Sequence, residues 1–159
     1  MHRCIVRRAM PEDAMAICDL HKASVRGLCA GAYSSEQIQA WLAPRLPDDY
    51  RNAMTVGGET MFVGQRAQRI VGFASIKTSM LMGLYVDPDD GRGTGRILLQ
   101  AAEGHARSDG VAVLSLQATL NAVPFYERRG FSLDRYGTVL RGGLELPVVE
   151  MSKTLRADL

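Results

Sequence analysis

The sequence predicts an α/β fold, with a mixed, mostly antiparallel central sheet and helices on both of its faces. Three observations carry this. Apolar residues fall at helical spacing near the N-terminus, alternate through the middle of the chain, and return to helical spacing after a glycine-rich loop. Turn residues mark the changes, at Gly57-Gly58, Gly91 to Gly95, Gly110, Gly130 and Gly142-Gly143. The composition, 47% hydrophobic and 23% charged over 159 residues, suits one packed domain, residues 1–159, and argues against disorder.

Taken in order, residues 4–8 read as a first strand. Pro11 then opens a helix with Glu12 and Asp13 in its first turn, where carboxylates favour the dipole. Ala14, Ile17, Cys18, His21 and Val25 form its apolar stripe, running to about Arg26. Ser34-Ser35-Glu36-Gln37 is a capping-box start for a second helix through Ile38, Trp41 and Leu42, which Pro44 and Pro47 end. Asp48 to Val56 suit one or two further helical turns.

Thr60 to Gln65 and Ile70 to Lys77 read as a hairpin around Arg66-Ala67-Gln68-Arg69. Met80 to Val86 is a third strand, and Gly83 within it marks a bulge or a close approach. In the helix that follows the glycine loop, Ile97, Leu98, Ala101, Ala102 and His105 share one face. Arg96, Gln100, Glu103 and Arg107 share the opposite one. Gly110 closes it. Val111 to Ala118 is a buried strand, Ala122 to Arg129 a short helix, and Ser132 to Leu140 and Leu144 to Thr154 a closing hairpin. The predicted order is β-α-α-β-β-β-α-β-α-β-β.

Net charge is +2, with no Lys/Arg-rich run, so nothing points to nucleic acid. No apolar stretch approaches the ~20 residues of a membrane span, and the charged N-terminus is unlike a signal peptide. Cys4, Cys18 and Cys29 lack paired ligand spacing. They read as free thiols in a reducing cytoplasm, with no metal site. Several methionines suit core or interface alike, which leaves a homodimer open.

The segment Leu84-Tyr85-Val86-Asp87-Pro88-Asp89-Asp90-Gly91-Arg92-Gly93-Thr94-Gly95-Arg96 is the strongest functional signal. A strand runs into small residues and then a helix, where free backbone N–H groups and a partial positive charge suit a phosphate or pyrophosphate. It is not a Walker A loop, because Gly-Lys-Ser/Thr is missing. It is not a dinucleotide fingerprint either, because the sixth position from Gly91 is Arg96.

Val86-Asp87-Pro88 followed by Gly93-x-Gly95 resembles the acetyl-CoA-binding motif of the GNAT superfamily of N-acyltransferases. Asp90 stands where that motif has Gln or Arg, and the loop is one residue short. A carboxylate there would be mildly unfavourable near a pyrophosphate unless it points to solvent. Asn121-Ala122-Val123-Pro124-Phe125-Tyr126-Glu127-x-x-Gly130-Phe131 is similar to the family's second acetyl-CoA segment and follows a strand, as there. Two motifs in order are more specific than either alone.

The resemblance implies transfer of an acetyl group from acetyl-CoA to a small-molecule or peptide amine, by direct attack in a ternary complex. It implies backbone contacts to the cofactor arm from Leu84 and Val86, and phosphate contacts from Gly91, Arg92, Gly93, Thr94, Gly95 and Arg96. Tyr126 falls at the position of the acid that protonates the leaving thiolate, and a phenol of pKa ~10 needs help from geometry to do so. Asn121 is placed to cap the helix ahead of Ala122, with cofactor contact as an added role. His21 is a candidate base, although its place on an apolar stripe equally suits a core histidine. Tyr33, Trp41 and Tyr85 are candidate walls of an acceptor pocket. A non-catalytic acyl-CoA-binding module and a nucleotide binder remain the alternatives.

Overall fold

The computed structural model describes residues 2–90 and 93–155. Seven strands form one sheet in the order β1-β2-β3-β4-β5-β7-β6. They are β1 (Ile5–Arg8), β2 (Thr60–Arg66), β3 (Arg69–Lys77), β4 (Met80–Val86), β5 (Val113–Ala118), β6 (Ser132–Arg141) and β7 (Leu144–Thr154). Every neighbouring pair is antiparallel except β4 with β5. A parallel pair needs a crossover, and α4 (Thr94–Ser108) supplies it.

Helices cover both faces, as strand alternation requires. Ala74 and Ile76 of β3 join Leu98 and Ala102 of α4 in one cluster, whereas Phe73 joins Ile17 and Cys18 of α1 (Ala14–Leu28) in another. A third cluster joins α2 (Ser35–Leu42) to β7 through Ile38, Trp41, Leu42 and Leu146. Full burial of Ile17, Leu42, Leu98 and Leu114 contributes about 1.5–3 kcal/mol each.

Several boundaries differ from the sequence reading. Pro11–Asp13 forms a 3-10 turn because the Asp13 carboxylate is occupied, accepting from the Met10 N–H and both Arg7 Nη groups, and α1 starts after it. The segment before β2 is a nine-residue helix, α3 (Pro47–Thr55). The β2–β3 turn is only Ala67-Gln68, both at positive φ, the conformation a two-residue hairpin demands. The short helix splits into a 3-10 turn, Leu120–Ala122, and α5 (Val123–Glu127). The box at Ser34 forms as expected, with reciprocal Ser34–Gln37 bonds of 3.1 and 3.0 Å.

On α4 the buried face is rotated from the expected one. Glu103 is 6% exposed rather than solvated, because Lys153 of β7 donates to both its carboxylate oxygens at 2.9 and 3.0 Å. Arg107 approaches the same carboxylate at 3.8 Å. Cys4, Cys18 and Cys29 are free thiols. No helix among the described residues is long and apolar enough to cross a membrane.

Candidate active site

The site begins where the sheet comes apart. β4 and β5 share only two rungs, Met80↔Ser115 and Leu81↔Leu116. On its other side β4 bulges at Met82, since Ser75 pairs with Gly83 but Ile76 with Leu81. A bulge bends and twists its strand, and past this one β4 stays with β3 and leaves β5. One edge of Leu84–Val86 therefore has no strand partner, and its backbone groups are free for another chain or a ligand.

That opening is a cavity of about 450 Å³. Leu84, Tyr85 and Val86 form one wall, Thr119, Asn121, Ala122 and Phe125 the other, and Ser24 and Leu28 of α1 with Cys29, which follows it, a third. Gly93, Thr94, Gly95 and Arg96 close its end. Gly93 is the N-cap of α4, in the left-handed region at φ +78°, so the first amides of a fifteen-residue helix lie at this mouth. Gly91 and Arg92 lie outside the described residues.

The Asp90 carboxylate does not point to solvent. Its side chain is 5% exposed, and Arg66 Nε donates to it at 3.0 Å. The Thr94 hydroxyl donates to it as well, and Arg66 Nη2 bonds that hydroxyl at 3.3 Å. Three residues earlier, Asp87 accepts from the Asp89 N–H at 2.9 Å and pairs with Arg69. Two arginines flanking one hairpin turn thus hold two aspartates of the loop. The unfavourable carboxylate is neutralised, and Thr94, its hydroxyl committed here, offers the cavity its backbone.

Arg129 is a cavity residue that sequence reasoning did not single out. Its guanidinium lies 4.0 Å over the Phe125 ring, Nη1 donates to the Phe125 carbonyl at 3.0 Å, and its buried Nε has no partner among the described residues. Burial, then the charges of Arg128 and Arg96, lower its pKa. The available signal was its i+4 spacing from Phe125.

Asn121 is not the cap of α5. It lies inside the 3-10 turn that precedes that helix, whose N-cap is Ala122, and Asn121 lines the cavity. Its side chain, with that of Thr119, faces the Cys29 thiol, which burial pushes up to about 11.

A smaller cavity of about 80 Å³ adjoins the first. It brings together Tyr33, Trp41 and Tyr85, with Gln117 and Arg141. Tyr85 and Thr119 line both cavities. Gly83 explains the Tyr85 ring's position: a Cβ there would lie 2.9 Å from its Cε2, so only glycine lets the ring fold back. The Tyr33 hydroxyl is structural too, donating to the Pro147 carbonyl at 2.6 Å and accepting from the Leu120 N–H at 3.0 Å.

His21 reaches neither cavity. It is 4% exposed and ringed by Trp41, Tyr50, Phe73 and Tyr85, the last with ring centroids 4.2 Å away. Its Nδ1 lies 2.6 Å from the Tyr50 hydroxyl, and its Nε2 has no partner among the described residues. Burial first, then the charges of Arg45 and Arg141, push its pKa down to about 3, so it is neutral at pH 7 and too weak a base for that pH. The core-histidine reading is the one its surroundings support.

Tyr126 is 6% exposed and sits edge-on to Phe125 and Phe131, with ring centroids at 5.1 and 5.5 Å. It is absent from the lining of either cavity. Burial raises its pKa, with the neighbouring Tyr85 phenol adding to the effect, so it keeps its proton at neutral pH. Among the described residues no group of three or more His, Cys, Asp or Glu side chains is placed to hold a metal ion.

The acetyltransferase (GNAT) domain family matches residues 29–155, and the chain belongs to that family. Among solved structures it is similar to the GCN5-related N-acetyltransferase from Rhodopseudomonas palustris, at 33% identity over 98% of each chain, with a TM-score of 0.89. The PaiA N-acetyltransferase from Thermoplasma acidophilum, solved with coenzyme A, is 21% identical. That match covers 96% of this chain and 99% of that one, with a TM-score of 0.79. A GNAT superfamily phosphinothricin acetyltransferase from Sinorhizobium meliloti, solved with acetyl-CoA, is 17% identical over 96% and 88%, with a TM-score of 0.73. The last two show a shared fold.

Proposed function

We propose that this chain is a one-domain N-acetyltransferase, moving an acetyl group from acetyl-CoA to a primary amine by direct attack in a ternary complex. The observation that carries the reading is the junction of two cavities at Tyr85 and Thr119, one opening onto an unpaired strand edge and a helix N-terminus. The fit to acetyl-CoA rests on the chain's own groups. Amides at Gly93–Arg96, the Arg96 side chain and the orphaned Arg129 Nε suit its phosphates. The free edge at Leu84 and Val86 suits the amides of its arm.

When bound, acetyl-CoA supplies a thioester whose acyl carbon accepts the amine as the C–S bond breaks. The chain's part is to align the two and to manage protons. Tyr126 stays protonated because it is buried, and its hydroxyl is the proton donor to the departing sulfur. His21 takes no proton at neutral pH, so the amine proton leaves through solvent.

The test is thiol release from acetyl-CoA over an amine panel, with products weighed by mass spectrometry and acetyl-CoA binding measured by calorimetry. Amine-dependent release with an N-acetyl product is expected. Stabilisation by ATP or NAD but not acetyl-CoA would overturn the reading.

A further inference from the structure

The smaller cavity has an uneven charge. Its lining includes Arg141 and no Asp or Glu. Elsewhere in the molecule several arginines pair with carboxylates, among them Arg7 with Asp13, Arg66 with Asp90, Arg69 with Asp87, and Arg135 with Glu150. Among the described residues Arg141 forms no ion pair, and its side chain bonds only the neighbouring Leu140 carbonyl. Arg45, in the α2–α3 connection, forms no ion pair among them either. Both cations are half-buried, and both act on the Tyr85 and His21 rings beside the cavity.

The fold holds Arg141 there. It ends β6, and the following Gly142, at φ +55°, sits so close to α2 that a Cβ would lie 2.2 Å from the Ala40 carbonyl oxygen. Gln37 of the same helix donates to the Glu145 carbonyl at 3.3 Å, fixing the other side of the turn. A fixed cation with no counter-ion among the described residues, beside aromatic walls, is a receptor for an anion. The space, about 80 Å³, takes several water-sized groups, enough for a carboxylate and little more.

We propose that the acceptor is an amine that also bears a carboxylate, an amino-acid-like zwitterion. Arg141 binds the carboxylate, the charge of Arg45 supports it, and the amine is presented at the Tyr85–Thr119 junction. This rests on the acetyl-transfer reading and narrows its acceptor class. Orientation follows from the cation, which holds the carboxylate end in the cavity and leaves the amine end to face the thioester.

The experiment compares matched acceptors in the thiol-release assay: α-amino acids, their methyl esters, and the amines left by decarboxylation. Acids should exceed esters and amines in kcat/KM by about tenfold or more. Arg141→Met should erase that preference, chiefly through KM for the acids, and Arg141→Lys should restore part of it. Arg45→Met, away from the cavity lining, should reduce the preference less. Calorimetry with acetyl-CoA on each variant checks that the donor site is intact. Equal use of esters and acids, or equal losses on both with Arg141→Met, would overturn the proposal while leaving acetyl transfer standing. So would bound acetyl-CoA with no acid acetylated. Failure to bind acetyl-CoA would remove both.

Discussion

The donor and acceptor sides of the site are built over different distances in sequence. Around the large cavity, close neighbours pair, Asp87 with Asp89, Asp90 with Thr94, and Phe125 with Arg129, and the β2–β3 arginines reach the loop across 18 and 24 positions. Around the small one, they join distant segments: Tyr33 with Pro147 across 114 positions, Gln37 with Glu145 across 108, and Leu120 with Tyr33 across 87. A donor site common to a family can be carried by contiguous motifs. An acceptor site assembled from far-apart pieces can change one piece at a time.

If this division is right, substitutions should separate the two sides kinetically. The largest effect belongs to the proposed proton donor. Tyr126→Phe should lower kcat by about 10²-fold or more with both KM values nearly unchanged, measured by steady-state kinetics on a verified acceptor. An unaltered kcat would remove Tyr126 from the chemistry. Next is the donor loop. Asp90→Ala strands Arg66 and the Thr94 hydroxyl, and should cost about 2–3 kcal/mol in urea unfolding. It should raise KM for acetyl-CoA and spare KM for the acceptor. Because the cost belongs to the pair, Arg66→Met added to Asp90→Ala should destabilise by less than the two single costs summed.

Acid sensitivity is expected from the aromatic core. His21 is neutral when folded down to about pH 3, whereas unfolded it takes a proton near pH 6.5. Between those values the unfolded state binds more protons, so stability falls as pH drops, by up to about 1.4 kcal/mol per pH unit, and is full above 6.5. Melting temperatures should fall in step, and His21→Met should flatten that slope. The smallest effect is Gly142→Ala, which pushes the β6–β7 turn off α2 at a cost of about 1–3 kcal/mol in unfolding. It should raise KM for the acceptor and leave acetyl-CoA binding unchanged by calorimetry.

The same division explains what could be read from the sequence. Strand and helix order, the Ser34 box and the glycine-rich helix start are local, so their residues announce them. So do Tyr33, Trp41 and Tyr85 as candidates, though their convergence does not, because it depends on contacts across the sheet. Asn121 was misplaced because a 3-10 turn precedes α5 and shifts the cap by one residue. Glu103 was assigned to solvent because its partner, Lys153, lies 50 positions away. Arg129 went unnoticed because only a folded helix stacks it over Phe125. Arg141 sits in an ordinary hairpin until α2 closes against it.

The seating of Gly142 on Ala40 also bears on how this scaffold can be altered. Hairpin tips are where chains ordinarily accept inserted residues, because a tip projects into solvent and its length is free. This tip is wedged, so a lengthened turn would displace Arg141 and spread α2 from the sheet together. New acceptor preferences are then reached by exchanging side chains on a turn of fixed length, while grafts and tags belong elsewhere.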